Sequence, residues 1–380
     1  MKPIYLDHAA TSPLHPRALE AMMPYFSEHF GNPSSIHSFG RRTRQALDEA
    51  RISLAQTIGA HPDELIFTSG GTEADNMAII GYAMKNKAKG NHIITSVIEH
   101  HAVLHTCKAL EDQGFEVTYL PVDEKGRVSL LDLQEHVREE TILVSIMYGN
   151  NEVGTLQPIA EIGSYLNEKG ITFHTDAVQA YGSIPIDVDQ LGVHFLSVSA
   201  HKINGPKGIG FLYAKKGYSL KPQLYGGEQE RKRRAGTENV ASIVGFAEAA
   251  KMAKADVEEK RQRYIQFREQ MIRIFHEEGL DFSVNGHETD VLPHVLNISF
   301  KGANVESLLV NLDLAGIAVS SGSACTAGSL EPSHVLTAMF NDDEKAKSSV
   351  RFSFGYGNTK EDIEKAAKET VKIVKRITSL

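Results

Sequence analysis

The sequence predicts an α/β protein: a large region built on a mostly parallel central sheet, followed by a smaller α+β region. Three observations predict it. Short β-branched runs alternate with helix-period stretches as far as Tyr213, the pattern of strands joined by crossover helices. A long helical stretch then runs from about Val244 to Glu278. Beyond it, strand-like runs return before one last amphipathic helix.

The elements follow in order. Strands are expected at Glu64–Thr68, His92–Ser96, Glu116–Leu120, Leu143–Met147, Thr172–Thr175, Phe195–Ser199 and Gly208–Tyr213. Between them lie helical patterns. In Arg44–Ile58, residues Leu47, Ala50, Leu54 and Ile58 share one face, and Gly59 is placed to end the helix. The stretch from Val244 to Glu278 reads as one connecting helix, with Phe246, Met252, Val257, Tyr264, Phe267, Met271 and Ile274 recurring. After it come strands near Val295–Phe300, Ala318–Ser320 and Val350–Phe354, then the helix Lys360–Ile377. The expected division is a large domain over residues 15–260 and a smaller one from residues 1–14 and 261–380. The N-terminal segment folds back onto the latter.

Composition narrows the class. With 380 residues, 41% of them hydrophobic and 23% charged, the chain can bury a large core and matches an ordinary globular enzyme. A net charge of -8 argues against nucleic acid as a main partner. The one basic run, Arg231-Lys232-Arg233-Arg234, reads as a solvated or anion-facing loop. The N-terminus has no signal-peptide pattern and no apolar run is long enough to span a bilayer, so a cytoplasmic protein without a membrane partner is expected. Two cysteines without a Cys-x-x-Cys pair argue against structural zinc.

Several segments carry chemistry. Ser199-Ala200-His201-Lys202 follows a strand and precedes a Gly/Pro loop. The strand of His174-Thr175-Asp176 ends in a carboxylate, with Gln179 three residues on. A lysine and an aspartate at neighbouring strand ends suit pyridoxal phosphate, which needs an amine for its aldehyde and an anion against its ring nitrogen. Asp176 could instead simply cap a helix. Gly70-Gly71-Thr72-Glu73 lies between a strand and a helix; this is either a phosphate cradle or a helix capped by Thr72. His100 follows a strand and can stack on a flat cofactor or be structural. His101 and His105 have i, i+4 spacing, but no third ligand is near, so no metal is expected. Asn150 and Asn151 can bind a carboxylate or build a turn. Arg351 suits a carboxylate or an inter-strand ion pair. Cys325 lies in a small, polar, glycine-containing segment, where a thiol can react. Cys107 lies in a helical pattern and is expected in the core.

With these residues in place the chain resembles the cysteine desulfurases, fold-type-I pyridoxal-phosphate enzymes close to the class V aminotransferases. The resemblance spans the chain. It includes Tyr5-Leu6-Asp7-His8-Ala9-Ala10-Thr11, the glycine motif at 70–76, Asn-Asn-Glu-Val-Gly at 150–154, His-Thr-Asp-Ala-Val-Gln at 174–179, Ser-Ala-His-Lys at 199–202, Arg-Ala-Gly-Thr at 234–237 and Ser-Ser-Gly-Ser-Ala-Cys-Thr at 320–326. It implies that Lys202 holds the cofactor aldehyde, that Asp176 pairs with the ring nitrogen, and that Gln179 meets the phenolic oxygen. His100 stacks on the ring and handles a proton; Gly71, Thr72, Ser199 and His201 hold the phosphate. Asn151 contacts cofactor and substrate, and Arg351 holds the substrate carboxylate. Thr237 reaches the phosphate of a neighbouring subunit, which implies a homodimer. Cys325, on a loop over about 320–333, accepts the sulfur.

The implied reaction converts L-cysteine to L-alanine and leaves a persulfide on Cys325, to be passed to an acceptor protein. That acceptor is either a scaffold for iron–sulfur clusters or a tRNA-thiolating enzyme. The sequence closes soon after its last helix, without the extended tail through which some relatives dock a scaffold, and so favours neither. A selenocysteine lyase or a class V aminotransferase would use the same cofactor residues without needing Cys325. A non-catalytic interaction protein would not need Lys202, Asp176 and Cys325 together. His8 stands where many relatives carry Tyr, and His101 where some carry Lys.

Overall fold

The computed structural model describes residues 3–321, 332–340 and 343–378. Among these, twelve strands form three sheets. In chain order they are β1 (Ile4–Tyr5), β2 (Leu65–Thr68), β3 (His92–Ser96), β4 (Glu116–Leu120), β5 (Thr141–Ser145), β6 (Thr172–Asp176), β7 (Phe195–Ser199), β8 (Gly210–Ala214), β9 (Phe282–Asn285), β10 (Val295–Phe300), β11 (Ile317–Ala318) and β12 (Ser349–Ser353).

The large sheet has the order β2-β8-β7-β6-β5-β3-β4. The run from β7 to β4 is parallel. β8 is antiparallel to both β7 and β2. Two antiparallel steps restore direction, so β2 ends at the same edge of the sheet as β7. The central strands are buried on both faces, which explains their continuous apolar runs. Period-two alternation sorts their side chains into two cores. Ile94, Val144, Leu196 and Phe211 join one; their chain neighbours Ile93, Leu143, Phe195 and Leu212 join the other. Helix Gly71–Asn86 packs across β7 and β8, and helix Ser38–Thr57 packs on helix Val240–Ala255.

A third core gathers Tyr264, Phe267, Met271, Leu296, Ile298, Phe352, Ile363 and Val371 with Ile4 and Leu6 from the N-terminus. The three-stranded sheet β12-β10-β9 is antiparallel. β1 pairs in parallel with β11, and Asp7 bridges to Ser353. From there the chain runs to Ser12, whose N–H donates to His201 O at 3.0 Å.

Several expectations shift. The strand expected at Leu143–Met147 runs Thr141–Ser145, and the helical pattern at Arg44–Ile58 belongs to a helix that starts earlier, Ser38–Thr57. The single long helix is two, Val240–Ala255 and Val257–Glu277. Asp256 leaves helical geometry (φ -104, ψ 9), and Glu258 and Glu259 in the next turn favour a fresh N-terminus. Apolar spacing alone runs through that break. The strand expected at Ala318–Ser320 is centred on Ile317–Ala318, with Ser320 bridging separately to Arg351. No helix among the described residues is long and apolar enough to cross a membrane.

Candidate active site

Functional side chains collect where the strands of the large sheet end, the edge at which open α/β sheets bind ligands. Asp176 ends β6 and Ser199 ends β7. His100 follows β3, Asn151 follows β5, and Gly71 opens the helix after β2. They line a cavity of 310 Å³ together with Thr72, Gln179, His201, Lys202 and Arg351. A larger surface cleft of 540 Å³ lies elsewhere, beside the basic run. Its charges answer one another: Arg51 pairs with Glu230 and Arg231 with Asp63. Arg234 pairs with Glu73. The convergent chemistry is in the smaller cavity.

Lys202 follows β7 on a single 3-10 turn. Its Nζ donates to Ala9 O at 2.6 Å and to Ala10 O at 2.8 Å. Asp176 is buried, and its Oδ1 accepts from Val178 N at 2.8 Å. Burial first, and Asp75 second, push its pKa up. Asp75 also lines the cavity and is 1% exposed; its Oδ1 lies 3.5 Å from His174 Nε2 and has no hydrogen-bond partner among the described residues. Burial raises its pKa too. Beneath them, His174 shares hydrogen bonds with Ser145 Oγ (2.8 Å) and Ser197 Oγ (3.0 Å). Two buried acids facing one cavity favour a cationic ligand group.

His100 is the N-cap of helix His101–Glu111; its Nδ1 accepts from Ala102 N at 3.1 Å. The neutral ring therefore carries its proton on Nε2. Burial, then Lys202 and the neighbouring histidines, hold its pKa down to about 4. The His101 ring lies 5.1 Å from His105 and 4.8 Å from His334. Even so, no group of three or more His, Cys, Asp or Glu placed to hold a metal occurs among the described residues.

The phosphate-cradle segment starts a helix of sixteen residues, Gly71–Asn86. Its cap is Gly70, not Thr72. A Cβ on Gly71 would sit 2.6 Å from Val178 Cγ2, so only glycine lets this turn lie against the strand-end loop. Anions bind well at such a helix start. His201 Nδ1 lies 3.1 Å from Thr11 Oγ1.

Arg351, on β12, is 2% exposed. Its Nη1 donates to Asn151 O (2.9 Å), and its Nη2 to Asp7 Oδ1 (2.8 Å) and Ser320 Oγ (2.9 Å). Its Nε is buried without a hydrogen-bond partner among the described residues. Asn150 builds a turn: its Oδ1 accepts from Glu152 N and Val153 N. Thr237 is exposed and does not line this cavity. Cys325 lies outside the described residues. Cys107 is buried in a core, where burial pushes its thiol up to about 12.

Sequence reasoning missed Asp75, Asp7 and the carbonyls of Ala9 and Ala10 as parts of the site. Asp75 stood in the glycine motif, one helical turn beyond Thr72. Asp7, Ala9 and Ala10 lie in the N-terminal motif noted above, but their partners stand far along the chain, so no local spacing gave them a role.

An amine, a buried carboxylate awaiting a cation, a helix start and a flat imidazole around one cavity fit pyridoxal phosphate. The comparisons agree with this chemistry. The family model described as aminotransferase class-V matches residues 4–366. A putative cysteine desulfurase IscS 1 of Bacillus subtilis (strain 168) is 60% identical over 379 residues, all of both chains. Cysteine desulfurase IscS of Dictyoglomus turgidum is 50% identical over 99% of this chain and 96% of its own. Among solved structures, a NifS-like protein superposes with a TM-score of 0.93 at 36% identity, covering 98% of this chain and 100% of its own. Another, titled SspA in complex with cysteine, has a TM-score of 0.82 at 38% identity, covering 92% and 98%.

Proposed function

The chain belongs to the cysteine desulfurases of the class-V aminotransferase family, and from that premise we propose how its own residues run the reaction and what it serves. Lys202, Asp176, Gln179, His100, Gly71, Thr72, Ser199, His201 and Asn151 would hold pyridoxal phosphate. When bound, that cofactor supplies an aldehyde for the substrate amine and a ring that withdraws electrons from Cα.

Arg351, which lines the cavity beside Asn151, receives the cysteine carboxylate. Lys202 Nζ moves the Cα proton, and the carbonyls of Ala9 and Ala10 hold that ammonium when it is free. His100 exchanges a proton through Nε2, since its Nδ1 is taken by Ala102 N–H. Cys325 takes the sulfur as thiolate. An S–S bond forms as the substrate C–S bond breaks, and protons complete L-alanine. The enzyme keeps a persulfide, which an acceptor protein thiol then takes up, for iron–sulfur cluster assembly or tRNA thiolation.

The working unit in this reading is a cytoplasmic homodimer. Its support is the exposed apolar stretch Met23, Phe26, Phe30, Ile36 and Phe39, with exposed Thr237 reaching the partner's phosphate site. The domain division at residues 15–260, with 1–14 joined to 261–380, has its support in the separate core that Ile4 and Leu6 share with the C-terminal region.

One observation carries the mechanism: Lys202, Asp176 and Arg351 come from three different segments to line one 310 Å³ cavity. Intact-mass measurement of holoenzyme treated with L-cysteine tests it. One added sulfur on Cys325, with alanine released, is expected; sulfur on Cys107 would overturn it.

A further inference from the structure

The Gln179 amide is held from both ends. Its Nε2 donates to Ala9 O at 2.9 Å, and its Oε1 lies 3.3 Å from Nε2 of His294. The two ends of an amide have nearly the same shape, so hydrogen-bond partners decide which way it faces. A carbonyl only accepts, so Ala9 O takes the NH₂ end. Oε1 also only accepts, so His294 must carry its proton on Nε2.

His294 stands 115 residues further along the chain, just before β10. It is 7% exposed, and its Nδ1 has no partner among the described residues. Burial, then His8, Lys202 and Arg351, hold its pKa down to about 3. The ring is therefore neutral, with one N–H to give. It does not line the cavity; Gln179 stands between. Ala9 O is shared with Lys202 Nζ, so the carbonyl end of the hold is divided and the His294 end is not.

We propose that His294 is a positioning residue, which turns the Gln179 amide so that an N–H, and not an oxygen, meets the phenolic oxygen of the cofactor. This rests on the role given to Gln179 above. With the amide reversed, Oε1 would face both Ala9 O and an anionic phenolic oxygen, and would be repelled by each.

The test is a pH titration of the visible band of bound pyridoxal phosphate in the holoenzyme. An N–H on the phenolic oxygen favours its anionic form, so losing that N–H raises the pH midpoint, by about one to two units for a hydrogen bond to a charged group. Gln179→Leu sets the full shift. His294→Phe should raise the midpoint in the same sense. The double variant should go no higher than Gln179→Leu alone, and His294→Gln, which restores a donor, should return toward the parent. His294→Ala is the second donor-free variant if the phenylalanine does not pack. A merely structural histidine would lower the melting temperature and leave the midpoint in place. If Gln179→Leu shifts the midpoint and neither donor-free variant does, the positioning role is overturned and the Gln179 assignment stands. If Gln179→Leu shifts nothing, the Gln179 assignment falls and this inference falls with it.

Discussion

Arg351→Lys puts the substrate-carboxylate assignment at risk most directly. The guanidinium has five N–H groups. Three are engaged: one with Asn151 O, one with Asp7 Oδ1 and one with Ser320 Oγ. The Nε–H is buried without a partner among the described residues, and is the donor proposed for a carboxylate oxygen. A lysine ammonium has three N–H groups on one atom. It can at best serve the three protein acceptors, with none left for substrate. A hydrogen bond to a charged group contributes about 1.5–3 kcal/mol, which is roughly a 10- to 150-fold loss in kcat/KM. The carboxylate takes no part in bond breaking, so it is held equally before and during reaction, and the loss should fall on KM. Alanine release measured over a range of cysteine concentrations reads both constants. A melting curve run in parallel checks that the variant is folded, because Arg351 joins the N-terminal segment to β12. A folded Arg351→Lys enzyme with KM within twofold of the parent would refute the reasoning.

Other expectations follow from the same geometry. Cys325→Ser should still bind cofactor and cysteine yet release no alanine above background, because an oxygen nucleophile gives no persulfide; Cys107→Ser, in the core, should turn over at the parental rate. Glu230→Ala should cost about 3–5 kcal/mol in chemical denaturation, since it strips a buried carboxylate from Arg51 Nη1, Arg51 Nη2 and Phe67 N; a loss below about 1 kcal/mol would contradict this. For cofactor-free protein the sign of the pH dependence can be worked out. Burial raises Asp75, Asp176 and Glu99, the last to about 8, so their contribution is full below the ordinary carboxylate range and is lost as pH rises through the raised values. Burial lowers His8, His92, His100, His174, His194 and His201 to about 4 and His294 to about 3; their contribution is full above the ordinary imidazole value, is lost as pH falls toward 4, and outweighs the opposite slope of the three acids over that range. Melting temperature should therefore peak between about pH 6 and 7, and scanning fluorimetry showing a steady rise to pH 9 would count against the buried acids.

What could be read from the sequence, and what could not, divides along a physical line. Lys202, Asp176 and Gly71 are legible because each sits at a strand end or helix start, where local periodicity stops and a chemically loaded residue stands out. Strands β3, β7 and β10 are legible because both of their faces are buried, and the apolar run survives in one dimension. Arg351 was legible only as a choice between a carboxylate and an ion pair. The ion pair with Asp7 is present, and because Arg351 also lines the cavity the carboxylate role stands as the proposal. Asp7, Ala9 and His294 were not legible as site residues. Asp7 meets Arg351 across 344 residues, and His294 meets Gln179 across 115, so no local pattern could pair them. The contacts of Asp7 and Ala9 share one geometric cause. The N-terminal segment is zipped to β11 and to Ser353, and then enters the cavity to meet Lys202 and Gln179 with its carbonyls. The Lys202 ammonium thus rests on backbone from the far end of the chain. A side-chain substitution at Ala9 or Ala10 cannot remove those acceptors, whereas weakening the pairing of Ile4 and Leu6 that carries them there can.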